Sequence, residues 1–161
     1  MEIRAARPND ASAIWAILEP VFRAGETYAL PQNISRDSAL DYWFAAPHEV
    51  FVAEEHNALL GTYFLQPNHQ GGGAHVANCG YITAPHATGR GVARAMCSHS
   101  LEYARAQGFR AMQFNFVVST NERAIALWQS FAFEIVGCLP QAFLHPKRGY
   151  VDAFVMYRSL L

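Results

Sequence analysis

Apolar residues recur along this chain with two different periods. Ile14, Ile17, Leu18, Val21 and Phe22 share one helical face, as do Val92, Met96, Cys97, Leu101 and Ala104. Between these stretches the apolar runs are short and rich in β-branched and aromatic residues. Val50 to Glu54 and Leu59 to Leu65 read as two strands turning at His56-Asn57. Val76 to Thr83 and Arg110 to Val118 read as longer strands, and Phe133 to Leu139 and Val151 to Tyr157 close the chain as two more. Ile3 to Ala6 opens it as a short one.

Punctuation residues refine this reading. Asp10 stands as an N-cap for the first helix, which Pro20 ends or kinks. Ser35 caps a second helix carrying Leu40, Trp43 and Phe44, and Pro47 stops it. Pro67 to Ala74 holds Gly71-Gly72-Gly73 and predicts an exposed, mobile connection. Gly108 follows the Val92–Gln107 helix as a C′ residue. Ser119-Thr-Asn-Glu122 is a capping-box pattern for a short helix reaching Phe131. The order β-α-α-β-β-β-α-β-α-β-β is an α/β (α+β) pattern with a mixed sheet, in a single domain spanning 1–161.

Composition narrows the function classes. The chain is 52% hydrophobic and 16% charged, which excludes disorder. The formal charge of −1 argues against a broad nucleic-acid or membrane footprint, and no apolar run has membrane-span length. The amino-terminal stretch lacks the apolar segment of a secretion signal. Cys79, Cys97 and Cys138 form no CxxC pair and no disulfide framework, so a reduced, cytoplasmic, bacterial setting is expected. His69 and His75 lack metal-ligand company, and no metal is expected.

The stretch from Tyr81 to Met96 carries the clearest chemistry. A strand runs into a loop with Gly89 and Gly91, and the loop runs into a helix. Free N–H groups and the dipole at such a helix start attract an anion. Arg90 and Arg94 add positive charge, and Ala93 keeps the first turn uncrowded. No Gly-Lys-Ser/Thr follows, so this is no P-loop. Arg94 stands where a dinucleotide fingerprint needs a small residue.

This stretch resembles motif A of the Gcn5-related N-acetyltransferases (GNAT), Q/R-x-x-G-x-G/A, with Gly91 and Ala93 on the small positions and Thr88 in place of the usual Gln or Arg. Asn121-x-x-Ala124-x-x-Leu127-Trp128, followed by Ala132-Phe133, resembles the family's N-x-x-A-x-x-L-Y…G-F helix. The resemblance implies a GNAT fold whose central strands, Val76–Thr83 and Arg110–Val118, splay around the pantetheine arm of acetyl-CoA. It implies cofactor contacts from Tyr81, Ile82 and Thr83 through their backbone, from Thr88, Gly89, Arg90, Gly91, Val92 and Ala93 in the loop, and from Asn121, Ala124 and Trp128.

Two asparagines, Asn78 and Asn115, sit on the strands expected to splay. Each is either satisfied in a network or faces a ligand. Asn78-Cys-Gly-Tyr81, Phe114-Asn-Phe116, Thr120-Asn121 and Trp128 together resemble fungal acetyltransferases acting on L-azetidine-2-carboxylate and other proline analogues. That likeness implies acceptor contacts from Asn78 and Asn115, with Asn121 beside the thioester. Asn121 also reads as a plain helix N-cap. Trp128 occupies the family's usual Tyr position and cannot serve as the acid for the leaving thiolate. Glu26 is the base candidate, with Glu54, Asp152, His145 or a water chain as alternatives. Tyr28 lines the acceptor site or packs in the core. Cys79 is structural, which favours direct attack in a ternary complex.

The reading is thus an acetyl-CoA-dependent N-acetyltransferase for a small amine, an amino acid or proline analogue being the candidate acceptor and a homodimer the candidate assembly. A peptide or protein amine acetyltransferase and a non-catalytic CoA-binding module remain as alternatives.

Overall fold

The computed structural model describes all residues, 1–161. Its elements are β1 (Glu2–Ala5), α1 (Ala11–Ala24), α2 (Arg36–Trp43), β2 (Glu49–Glu55), β3 (Ala58–Pro67), β4 (Val76–Thr83), α3 (Val92–Ala106), β5 (Ala111–Val118), α4 (Glu122–Ser130), β6 (Glu134–His145) and β7 (Gly149–Ser159). They form one seven-stranded sheet in the order β1-β2-β3-β4-β5-β7-β6. Every neighbouring pair is antiparallel except β4 and β5, which are parallel. The mixed α/β expectation holds.

Strand alternation sends side chains to two differently covered faces. Phe22, Tyr28 and Trp43, from α1, α2 and the turn between them, pack on Phe64 and Thr62 of β3. On the opposite face α3 buries Val92, Met96, Cys97, Ser100, Leu101 and Ala104. There Tyr81 meets Ser100 at 2.7 Å and Tyr63 meets His99 at 2.6 Å. The His56-Asn57 turn uses positive φ at both residues, as a two-residue hairpin requires. No helix is long and apolar enough to cross a membrane.

Local expectations are corrected at three points. Pro20 does not end α1. The helix runs on because Phe22 beyond it is buried, and it stops at Gly25, whose φ of 63° lets its N–H reach the Val21 carbonyl at 3.3 Å. Asp10 does not cap α1. Its carboxylate accepts from the Arg7 N–H at 2.6 Å and from the Arg4 guanidinium at 2.8 Å. The last two strands are longer than predicted. β6 runs on through Pro140 because it is an edge strand and tolerates proline at a bulge, where the Gln141 N–H donates to the Asp152 carboxylate at 2.9 Å. That extra length carries the His145–Gly149 turn out beyond the end of β5.

The Arg4–Asp10 pair fixes the sheet edge to α1. Arg4 also holds Glu54, and its side-chain hydrogen bond to Asp10 keeps that carboxyl below its ordinary range. A depressed folded-state value adds stability above the unfolded carboxylate value, and that stability is lost as pH falls through the folded one. Asp10→Asn is expected to cost about 2 kcal/mol at neutral pH and to flatten the acid side of the stability curve. Urea denaturation between pH 3 and pH 7 checks this.

Candidate active site

The sheet forks at its centre. β4 and β5 pair only at Val76↔Ala111 and Ala77↔Met112. One residue further on, the Asn78 Nδ2 donates to the Gln113 carbonyl at 3.0 Å. A side-chain amide thus takes the place of the next ladder bond, and beyond it the strands diverge. The edge of β4 from Gly80 to Thr83 has no strand beside it on that side. A cavity of about 940 Å³ runs through the fork. Its wall includes Tyr81, Ile82, Thr83 and Asn78 of β4, Phe114 to Val118 of β5, and Asn121, Ala124 and Trp128 of the following turn and helix.

At one end of this cavity stands the loop leading into α3. Gly89 and Gly91 have φ of 83° and 79°, and a Cβ added at either meets nothing within 4 Å. Gly89, Gly91, Val92 and Ala93 line the cavity, and their N–H groups have no acceptor in the protein. Left-handed glycines followed by a helix start form a concave set of donors suited to a phosphate-type anion. Thr88 lines the cavity with them. Arg90 does not. Its guanidinium is held by Glu55 at the end of β2. Arg94 leans over the Phe131 ring at 5.2 Å and donates to the Ser130 hydroxyl at 3.1 Å.

On the α1/α2 face of the fork lies a chain of amides. Gln66 donates to Asn78 at 3.4 Å, Gln113 donates to Asn115 at 2.9 Å, and Asn115 donates to Asn68 at 2.7 Å. Asn78 and Asn115 are therefore both networked and cavity-lining, so the two alternatives coexist. Asn115 is exposed, which corrects the picture of a buried amide. Beside the amides an aromatic recess holds Tyr28, Tyr42, His48 and Phe64. The Tyr28 hydroxyl donates to the Tyr81 carbonyl at 3.2 Å, and burial pushes its pKa up, so it stays a neutral donor. The His48 ring stacks on Phe64 at 4.0 Å, and its Nδ1 lies 3.0 Å from the Trp43 carbonyl. A carbonyl only accepts, so Nδ1 carries the proton and Nε2 is left as a basic lone pair in the recess.

Comparison with known proteins now decides the family. The acetyltransferase (GNAT) family pattern matches residues 12–133. The chain belongs to the GNAT acetyltransferase family. A GNAT structure from Kribbella flavida is 40% identical, with a TM-score of 0.93 over 98% of this chain and 96% of that one. The N-acetyltransferase aca1 of Schizosaccharomyces pombe is 28% identical over 148 residues, 81% of this chain and 71% of its own. A phosphinothricin acetyltransferase from Sinorhizobium meliloti, solved with acetyl-CoA, shares the fold at 21% identity and a TM-score of 0.84, over 98% of this chain and 87% of that one.

Within this GNAT framework the remaining expected residues fall as follows. Asn121 occupies the N-cap position of α4 but makes no capping bond, so its amide stays open toward the cavity. Trp128 is 8% exposed and packs against Tyr81 and Phe114, each at 5.0 Å between ring centroids. Its indole forms the cavity wall. Cys79 is buried, and burial pushes its thiol well up, the wrong direction for a nucleophile.

Glu26 does not line the fork cavity. It lies in a second cavity of about 320 Å³ beside the first, where its carboxylate pairs with the Lys147 ammonium at 3.0 Å. That hydrogen bond lowers its pKa, whereas a base working near neutrality needs it raised. Glu26→Gln is expected to lose far less than the roughly 10²–10⁴-fold of a removed base, as read from kcat at saturating amine.

Sequence reasoning missed His48, Gln66 and Asn68. The signal for His48 was a histidine just past the end of α2, where orphan helix carbonyls seek donors.

Proposed function

We propose that this chain transfers acetyl from acetyl-CoA to the amine of a small molecule, by direct attack in a ternary complex. The fork carries the reading: a strand edge left open by Asn78, leading to the free N–H groups of Gly89, Gly91, Val92 and Ala93. Acetyl-CoA supplies an activated thioester and fits this arrangement. The loop amides hold its pyrophosphate, and the open edge of β4 offers backbone groups to its pantetheine amides, as an added strand would.

The acceptor sits on the α1/α2 face, among Tyr28, Tyr42, His48 and Phe64 and against the amide chain through Asn78 and Asn115. His48 Nε2 takes the proton from the attacking amine, with the ring fixed by Trp43 and Phe64. The Asn121 amide lies toward the sulfur and steadies the departing thiolate. Holding the amine in place removes much of the entropic barrier of a two-substrate reaction. Proline analogues such as L-azetidine-2-carboxylate are the first acceptors to try, since Asn78, Asn115 and Asn121 resemble the enzymes acting on them.

Thiol release from acetyl-CoA over amino acids, proline analogues, polyamines, glutamine-synthetase-inhibitor herbicides and peptides tests this. Turnover with a small amine is expected. Turnover with peptides alone, or binding of acetyl-CoA with no thiol release, overturns it.

A further inference from the structure

The second cavity has no apolar residue in its wall. Glu26 and Thr27 come from the α1–α2 turn, Thr120 and Asn121 from the turn after β5, and His145, Lys147 and Arg148 from the β6–β7 turn. Thr27 and Asn121 also line the main cavity, so the two spaces adjoin.

The charges in this vestibule do not cancel. Lys147, the chain's only lysine, spends its charge on Glu26. Arg148 has no salt bridge and no hydrogen bond, although it lies close enough to influence the Glu26 carboxyl. The Lys147 backbone N–H donates to His145 Nδ1 at 3.1 Å, so the histidine's proton sits on Nε2 and can be donated. His145 is 7% exposed, which holds this donor in a fixed place. The Thr27 and Thr120 hydroxyls and the uncapped Asn121 amide complete a ring of donors around one uncompensated guanidinium. Glu26 is the only acid among them.

From this we infer that the vestibule is an anion subsite that takes a carboxylate carried by the acceptor, so that the preferred substrates are amines bearing a carboxylate. This rests on the acetyl-transfer reading above for the word acceptor. Arg148 and His145 Nε2 grip the carboxylate at the mouth, and the amine reaches inward past Asn121 toward the fork. A guanidinium at the rim suits this role, because it stays charged in water and lies away from the attacking nitrogen. The 3′-phosphate of CoA offers similar chemistry. The vestibule, however, is walled by the α1–α2 turn, on the face opposite α3 and its anion loop, so the acceptor is the source.

Carboxylate-bearing amines and their neutral methylamides are compared by thiol release with wild type, Arg148→Ala and Glu26→Gln. Wild type is expected to favour the acids. Arg148→Ala is expected to lower the acid-to-amide ratio of kcat/KM by roughly tenfold, chiefly through KM. Glu26→Gln removes the one repelling charge and is expected to raise the same ratio, a change of sign that structural damage does not produce. Equal losses on acid and amide, or a wild type that prefers amides, overturns the inference while leaving acetyl transfer intact. Acetyl-dephospho-CoA forms the second arm. If Arg148→Ala abolishes the difference between it and acetyl-CoA, the subsite belongs to the cofactor and the inference fails. Calorimetry of N-acetylglycine and its methylamide on the CoA-bound protein reads the subsite without turnover. Tighter binding of the acid, lost in Arg148→Ala, supports the subsite even if no amine is acetylated, and equal binding overturns it.

Discussion

Ala93→Leu is expected to weaken acetyl-CoA binding by at least a hundredfold, and Gly91→Val by at least as much, with the sheet intact in both. The loop before α3 binds through backbone donors, and these work only if the anion comes within about 3 Å of them. Each hydrogen bond to a charged group contributes about 1.5–3 kcal/mol, so losing two removes roughly two decades or more of affinity. A leucine at position 93 projects from the first turn of α3 into the cavity wall. Gly91 acts differently. A Cβ there meets no protein atom within 4 Å, so space inside the protein is not the constraint. Its φ of 79° is, because a β-branched residue at that angle turns the peptide and swings the donors of Val92 and Ala93 out of line. Arg90→Ala is the control. Its guanidinium belongs to Glu55, so affinity is expected to change less than about threefold. Calorimetry with acetyl-CoA, beside circular dichroism, distinguishes these cases. Full affinity in both loop variants would mean that the pyrophosphate lies elsewhere.

That loop was legible because its chemistry is local. Two glycines, a small residue and a helix start lie within a few positions of one another, and their backbone geometry follows from residue type. The helical stripe of α3 was legible for the same reason: Val92, Met96, Cys97, Leu101 and Ala104 are all buried as their spacing predicts. The order of elements followed from periodicity together with the capping and turn residues. Asn78 and Asn115 stood out because amides are rare on central strands.

What was not legible depends on registers that the sequence does not display. β6 continues through Pro140, and only its place on an edge strand shows why the proline is tolerated. With β6 cut short at Leu139, nothing placed Lys147 and Arg148 near Glu26. The Glu26 carboxylate therefore stands in an ion pair that its sequence neighbours do not reveal. Arg90 is a related case. Its partner Glu55 lies 35 positions earlier and reaches it only across the β2–β3 hairpin. The amide chain likewise joins Gln66 and Asn68 to β5 across a strand.

His48 follows the same logic, and its removal is the sharpest test of the acceptor side. His48→Phe is expected to lower kcat/KM by roughly 10²–10⁴ for every acceptor, while acetyl-CoA affinity stays unchanged. Phenylalanine retains a flat ring against Phe64, so the stack survives and only the nitrogen atoms are lost. The lost Nδ1 bond to Trp43 is half-buried and contributes about 1 kcal/mol to stability, too little to unfold the domain. Measuring kcat/KM beside acetyl-CoA affinity separates chemistry from packing. His48→Ala opens a space beside Phe64, and exogenous imidazole should restore part of its rate. A loss matched by an equal loss of acetyl-CoA binding, or an alanine variant that imidazole does not rescue, would show that the ring only supports the wall of the recess.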